Sequence, residues 1–165
     1  LPFAVPKKYW DLYNRDEIQL AEFRENANNS PLVAYHGAGE LYKYADIPPI
    51  ASFSDVKGGM ELPFDKQKEL IHGYYASVSY ADALIGKLIS TLVSLNLKDN
   101  TIVTIIGDHG WHLGDHNLWC KHSNFEQATR IPMIFKIHGI KASKTSALAE
   151  AVDIFPTLCL SLIHI

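Results

Sequence analysis

Cysteine is scarce in this sequence: Cys120 and Cys159 are the only two among 165 residues. Two cysteines make neither a disulfide framework nor a Cys-x-x-Cys metal site, and they assign the chain to no redox compartment. Positive charge is also in short supply. Fifteen Lys and Arg stand against eighteen Asp and Glu, for a formal net charge of -3 and a pI near 6.2. Nucleic-acid binding, which needs clustered cations to displace phosphate counterions, is therefore set aside. Long apolar runs are missing too. Thr101 to Ile106 and Met133 to Phe135 fall far short of the roughly 20 residues that span a bilayer, so neither a transmembrane segment nor a membrane partner is expected. What is plentiful is core-forming material, at 47% hydrophobic and 11% aromatic. That excludes a disordered chain and suffices for one ordinary globular domain. The sequence opens at Leu1-Pro2-Phe3 with neither an initiating Met nor a signal peptide, and is expected to be a piece of something larger.

Chain-breaking residues are spread unevenly. Six of the eight prolines, at positions 2, 6, 31, 48, 49 and 63, fall in residues 1–64 with Asn28-Asn29-Ser30 and Gly58-Gly59. Such punctuation predicts a loop-rich cover holding one or two short helices, for example around Lys7 to Tyr13. From Asp65 to about Leu95 apolar residues recur at three- and four-residue spacing, which predicts a long amphipathic helix with Asp65 as its N-cap. Lys98-Asp99-Asn100 then turns the chain into Thr101–Ile106, whose β-branched run predicts a strand buried on both faces. A second strand is predicted over Pro132–Ile137 and a helix over Ser146–Leu158.

Helix, strand, long loop, strand and helix form an α/β order, in which ligands bind outside the carboxyl ends of the strands. The loop from Asp108 to Arg130 sits there, and a connection of that length favours function. Residues 65–159 carry this helix-strand-loop-strand-helix series behind the 1–64 cover, as one domain over 1–159. The last six residues, LSLIHI, match one reading frame of a transposon adapter used in sequencing libraries. Residues 160–165 are therefore expected to be adapter read-through, and His164 enters no functional argument.

The loop concentrates chemistry. Three of the eight histidines and two carboxylates crowd into Asp108-His109-Gly110-Trp111-His112-Leu113-Gly114-Asp115-His116. A carboxylate and a neutral imidazole at a strand end can ligate a divalent cation, with Gly107 and Gly110 allowing close approach of the backbone. They can equally be a turn-capping Asp beside a hydrogen-bonded His. A three-histidine site on His109, His112 and His116 would need a helix that Gly110 and Gly114 disfavour. Lys121, a dozen residues on, can return to the pair as a point charge on an anionic group or be a solvated lysine. Cys120 beside His122 forms no recognisable catalytic pair.

Asp108 to His116, followed by Leu118-Trp119-Cys120-Lys121-His122-Ser123-Asn124-Phe125-Glu126 and Ala128-Thr129-Arg130-Ile131-Pro132, resembles the C-terminal part of the catalytic domain of type I sulfatases. The likeness runs through Tyr74-Tyr75-Ala76-Ser77-Val78-Ser79-Tyr80-Ala81-Asp82 and on to Val152-Asp153-Ile154-Phe155-Pro156-Thr157-Leu158. The resemblance implies an α/β fold, part of an alkaline-phosphatase-like sheet flanked by helices and incomplete in this chain. It implies hydrolysis of sulfate esters, with Asp108 and His109 as ligands of a divalent metal, commonly calcium. Lys121 would be the catalytic residue on the sulfate, and Trp111, His112 and His122 would line the substrate.

The nucleophile of such enzymes is a formylglycine made from Cys-x-Pro-Ser-Arg by a maturation enzyme. Neither that motif nor the paired aspartates that complete the metal site occurs here, so this piece alone is expected to be inactive. A sulfated carbohydrate is the implied substrate. The implied location is periplasmic or extracellular for a bacterial source and lysosomal for an animal one. Phosphodiesterases and phosphonate monoester hydrolases of the same superfamily, and a non-catalytic carbohydrate-binding relative, are the alternatives.

Overall fold

The structure, a computed structural model, describes residues 3–35, 39–47 and 62–163. Pro2, Pro48, Pro49, Gly58, Gly59 and the final His164-Ile165 of the tail lie outside them. The cover contributes a single turn of helix, α1 (Lys7–Trp10), and short 3-10 turns. Its side chains lie along the long helix α2 (Phe64–Ser94). Trp10 stacks on His72 at 4.0 Å, the His72 Nε2–H donates to the Trp10 carbonyl at 2.8 Å, and Tyr13 bonds Ser79 at 2.6 Å.

Helix α2 starts one residue earlier than the sequence predicts, and its N-cap is Pro63, not Asp65. The Pro63 carbonyl takes the Gln67 amide at 3.0 Å, so Asp65 sits in the first turn, where its charge faces the positive end of the helix dipole. The helix ends in a left-handed Asn96 (φ 56°), with the Leu97 amide bonded back to the Leu92 carbonyl at 2.9 Å. That pattern closes the last turn without glycine. By length and mean hydropathy (1.2 over its most apolar window) α2 could also cross a membrane. That window is almost entirely unburied, a departure from the expectation of no membrane-length segment; the residues that α2 buries, among them Leu70, Ile71, His72 and Ala76, lie in its first half.

The predicted strands form as β1 (Val103–Ile106) and β4 (Met133–Lys136), paired antiparallel with Ile105 opposite Ile134. Burial on both faces is not observed. Ile106 is 47% and Ile134 55% exposed; among the described residues each strand's hydrogen-bonded neighbour is only the other. The C-terminal helix also differs from expectation. After a single turn of helix ahead of β4, α3 (Glu126–Thr129), α4 spans Ile154–Ile163 following a 3-10 turn at Ala151–Asp153, so Ser146–Glu150 is not helical. A reciprocal cap places the boundary: the Glu150 side chain accepts the Asp153 amide and the Asp153 carboxylate the Glu150 amide.

The core forms elsewhere. Ile18, Leu41, Ile47 and Leu62 from the cover meet Leu70 and Ile71 of α2 around Trp119 and Cys120. Cover and helix therefore share one core, and its centre lies in the segment that the sequence reads as a loop. Two two-residue strands, β2 (His112–Leu113) and β3 (Trp119–Cys120), pair antiparallel there. Leu118, Trp119 and Cys120 are all within 1% of full burial.

Candidate active site

The chain leaves β1 through Gly107, whose amide bonds the Pro132 carbonyl at 3.1 Å and makes the last link to β4. Asp108 and His109 follow at the carboxyl end of the strand, with side chains 89% and 35% exposed. His109 Nδ1 lies 2.8 Å from the Gly110 carbonyl. A carbonyl only accepts, so Nδ1 carries the proton and the lone pair of the neutral ring is on Nε2. That Nε2 is 3.5 Å from Asp108 Oδ2, while Asp108 Oδ1 accepts the His109 amide at 3.1 Å.

An imidazole nitrogen and a carboxylate oxygen this close can share one divalent ion. A backbone carbonyl on the other ring nitrogen is the usual orienting partner of a metal-binding histidine. The donor chemistry of the pair thus fits a cation, to which it would contribute two ligands. Among the described residues no third His, Cys, Asp or Glu joins them. The local path depends on Gly110. Its amide bonds the Ala128 carbonyl at 2.8 Å, and a Cβ there would strike the Gln127 carbonyl.

Trp111 connects this pair to Lys121. Its ring lies 6.1 Å from the His109 ring, and the Lys121 ammonium sits 5.6 Å from the Trp111 centroid, within cation–π range. Lys121 leaves the end of β3 and meets Glu40 of the cover, with Nζ 3.1 Å from Glu40 Oε1. His122 Nε2 approaches the same oxygen at 3.6 Å. Burial works against the charge on Glu40, but the hydrogen bond and charge of Lys121, with that of His122, outweigh it. The Glu40 carboxyl is held below its ordinary value and stays ionised at neutral pH. An ammonium has three N–H donors, so among the described residues two remain on Lys121 for a further anion. Beside His122 opens a cleft of about 470 Å³ walled by Val33, Ala34, Ser123 and Phe125.

The remaining candidates fall elsewhere. His112 is fully buried, with Nε2 2.6 Å from Ser123 Oγ. The expected contact of His112 with substrate therefore meets a side chain that has no exposed surface, and the residue braces the turn behind Lys121 and His122 from within. His116 adopts a left-handed conformation (φ 54°) and donates from Nδ1 to the Glu25 carbonyl at 2.8 Å, tying the hairpin to the cover. His109, His112 and His116 are not gathered around one point. Burial, with the charge of Glu40, pushes the Cys120 thiol up to about 12, so it stays protonated and is no nucleophile.

Sequence reasoning missed Glu40. It lies in the irregular cover, far along the chain from Lys121, and no local pattern marks it. The turn was more accessible: Leu113 on one side and the apolar pair Leu118-Trp119 on the other flank Gly114-Asp115-His116-Asn117, which carries turn residues.

The model of the family described as Sulfatase matches residues 3–162 of the chain. Human iduronate 2-sulfatase is 38% identical over 159 residues, covering 96% of this chain and 28% of that protein. A sulfatase of Formosa agariphila is 30% identical over 160 residues, covering 96% and 29%. The phosphonate monoester hydrolase of Silicibacter pomeroyi superposes with a TM-score of 0.58 at 21% identity, over 84% of this chain and 27% of that one. The chain thus spans under a third of the length of the curated relatives it matches.

Proposed function

The chain belongs to the sulfatase family, with part of an alkaline-phosphatase-like α/β fold, and from that premise we propose that it is the C-terminal part of a catalytic domain that hydrolyses sulfate esters of sugars. A sulfated uronic acid is the leading substrate, since iduronate 2-sulfatases of human and mouse are 38% and 36% identical to it. The observation that carries the reading is the convergence of Asp108 Oδ2 and His109 Nε2 at 3.5 Å, with Lys121 reached across a single indole.

Asp108 and His109 hold a divalent cation in this proposal, calcium by family likeness. Bound there, the ion would act as a Lewis acid on a sulfate oxygen. Lys121 uses its two remaining N–H groups on the sulfate and offsets negative charge as the ester oxygen departs. Trp111 fixes the ammonium beside the cation, and His122 leads the sugar into the cleft formed with Val33 and Phe125. The nucleophile is a formylglycine supplied, with the other metal ligands, by sequence outside these 165 residues. A maturation enzyme that makes formylglycine, and a periplasmic, extracellular or lysosomal setting, belong to the same proposal.

The test uses the complete gene product. It is expected to release sulfate from a sulfated uronic acid. Asp108→Ala is expected to strip the metal and lower turnover by more than about a hundredfold, the upper range for loss of a mere outer-shell partner. Unchanged metal content and turnover in that variant would refute the assignment. Cleavage of a phosphonate monoester in preference to the sulfate ester would move the chemistry to phosphoryl transfer. Sugar binding without cleavage of either would leave a carbohydrate-binding protein.

A further inference from the structure

Lys121 has a fixed anionic partner before any substrate arrives. We propose that Glu40 is a positioning residue for Lys121, holding its ammonium against Trp111 so that a sulfate ester meets a cation already aimed at the metal pair. The inference rests on the sulfatase reading for its reaction, and on the Glu40 geometry for its mechanism.

A lysine side chain has four rotatable carbon links and in solution sweeps a wide arc. Here it is caught at two places: its Nζ lies 3.1 Å from Glu40 Oε1 and 5.6 Å from the Trp111 centroid. The same Glu40 oxygen approaches His122 Nε2 at 3.6 Å. One carboxylate oxygen therefore sets the spacing of both cation-capable groups at the mouth of the cleft. Glu40 is itself held, with its side chain 30% exposed and its chain neighbour Leu41 buried in the core at 2%. The aim of Lys121 is thus referred back to the domain core.

The arrangement has two opposed electrostatic effects. A fixed partner lowers the cost of ordering the ammonium when charge develops on the departing oxygen, which raises kcat. A negative charge near the sulfate subsite weakens attraction for the anionic ground state, which raises KM. Removing Glu40 should therefore lower kcat and leave KM equal or lower. A purely structural residue, whose loss loosens the whole site, would raise KM as kcat falls.

Two measurements on the complete gene product, as wild type, Glu40→Ala and Glu40→Gln, decide the matter. The first is the rate of acetylation of each lysine, read by mass spectrometry. Lys121 is expected to label several-fold faster in Glu40→Ala, with Gln intermediate because its carbonyl still accepts from Nζ. Exposed Lys87, remote in α2, gives the reference rate, and Lys66, held by Asp46 and Glu69 at 19% exposure, should stay as slow as in wild type and reports that the fold is intact. An unchanged Lys121 rate overturns the proposal, whether or not the wild type proves to be a sulfatase. The second is steady-state hydrolysis of the sulfated uronic acid. A fall in kcat of roughly tenfold with no rise in KM, partly restored by Gln, is the expected result for a lost near-attack geometry. A raised KM at unchanged kcat overturns it. Absence of sulfate release by wild type would count against the proposed function, while the labelling still decides what Glu40 does to Lys121.

Discussion

Two antiparallel pairs of strands lie on either side of Asp108 and His109, and they differ both in strand length, four residues against two, and in burial. In the β2–β3 hairpin Leu118, Trp119 and Cys120 are excluded from solvent, whereas in the β1–β4 pair Ile106 and Ile134 keep about half their surface. The hairpin is enclosed by α2 and by residues of the cover. The β1–β4 strands pack mainly on each other. The metal-type pair stands where the open sheet passes into the enclosed hairpin, and Lys121 stands where the hairpin ends. The fixed half of the site thus draws its rigidity from the segment with the least regular sequence pattern.

The largest effect should come from breaking the enclosed side. Trp119 is 1% exposed and touches core residues contributed by both the cover and α2. Trp119→Ala leaves a cavity that a hairpin of two-residue strands cannot collapse to fill, and is expected to cost about 3–5 kcal/mol. Chemical denaturation would measure it. A loss under about 1 kcal/mol would mean that the hairpin is not the centre of the core.

Most of the architecture was legible in the sequence, and the errors have physical causes. The periodicity from Leu70 onward marks α2 because a 3.6-residue repeat survives whatever packs on it. The capping error at Asp65 arose because a residue type that favours capping also suits the first turn, and the Pro63 carbonyl took the role of closing it. The two strands were legible from their β-branched runs, but their burial was not. Burial is set by neighbouring strands, which a local pattern does not name. The hairpin escaped because strands of two residues carry almost no period: Gly114 to Asn117 could be read as a turn, but not as the turn of a hairpin, and left-handed His116 and Cys120 are of residue types that do not announce that conformation. Of the candidate site, the adjacency of Asp108 and His109 at a strand end and the presence of Lys121 on the same loop were readable from the sequence, whereas residue type alone left their roles open and only the resemblance implied them. Glu40 was not, since an ion pair across some eighty positions leaves no local trace.

The two cysteines sharpen the comparison with a smaller effect. Cys120 lies in the hairpin and is buried, whereas Cys159 in α4 is exposed. A thiol reagent at pH 8 should modify Cys159 promptly and reach Cys120 only on unfolding. The pH dependence has a definite sign. Burial raises the folded Cys120 thiol from 9.0 to about 12, so the folded state keeps a proton that the unfolded chain gives up. That contribution is intact below the ordinary thiol value near 9 and is lost as pH rises towards 12. Stability that held constant from pH 9 to 12, or equal labelling of the two thiols, would remove the contrast.

The smallest effect is expected on the open side. Ile134 faces Ile105 across the ladder but is 55% exposed, so much of its apolar surface is already in water before any mutation. Ile134→Thr keeps the β-branched shape that suits a strand and exposes little new surface, and in this chain it should change stability by less than about 0.5 kcal/mol. The same substitution in the complete gene product tests what the open face is for. If further strands or helices cover β4 there, the threonine hydroxyl is buried without a prepared partner, and the loss should rise to about 1–3 kcal/mol. A small loss in both would make the open face a true surface. A small loss in the chain and a large one in the complete protein would show that the sheet beside Asp108 and His109 is finished by residues from outside this segment.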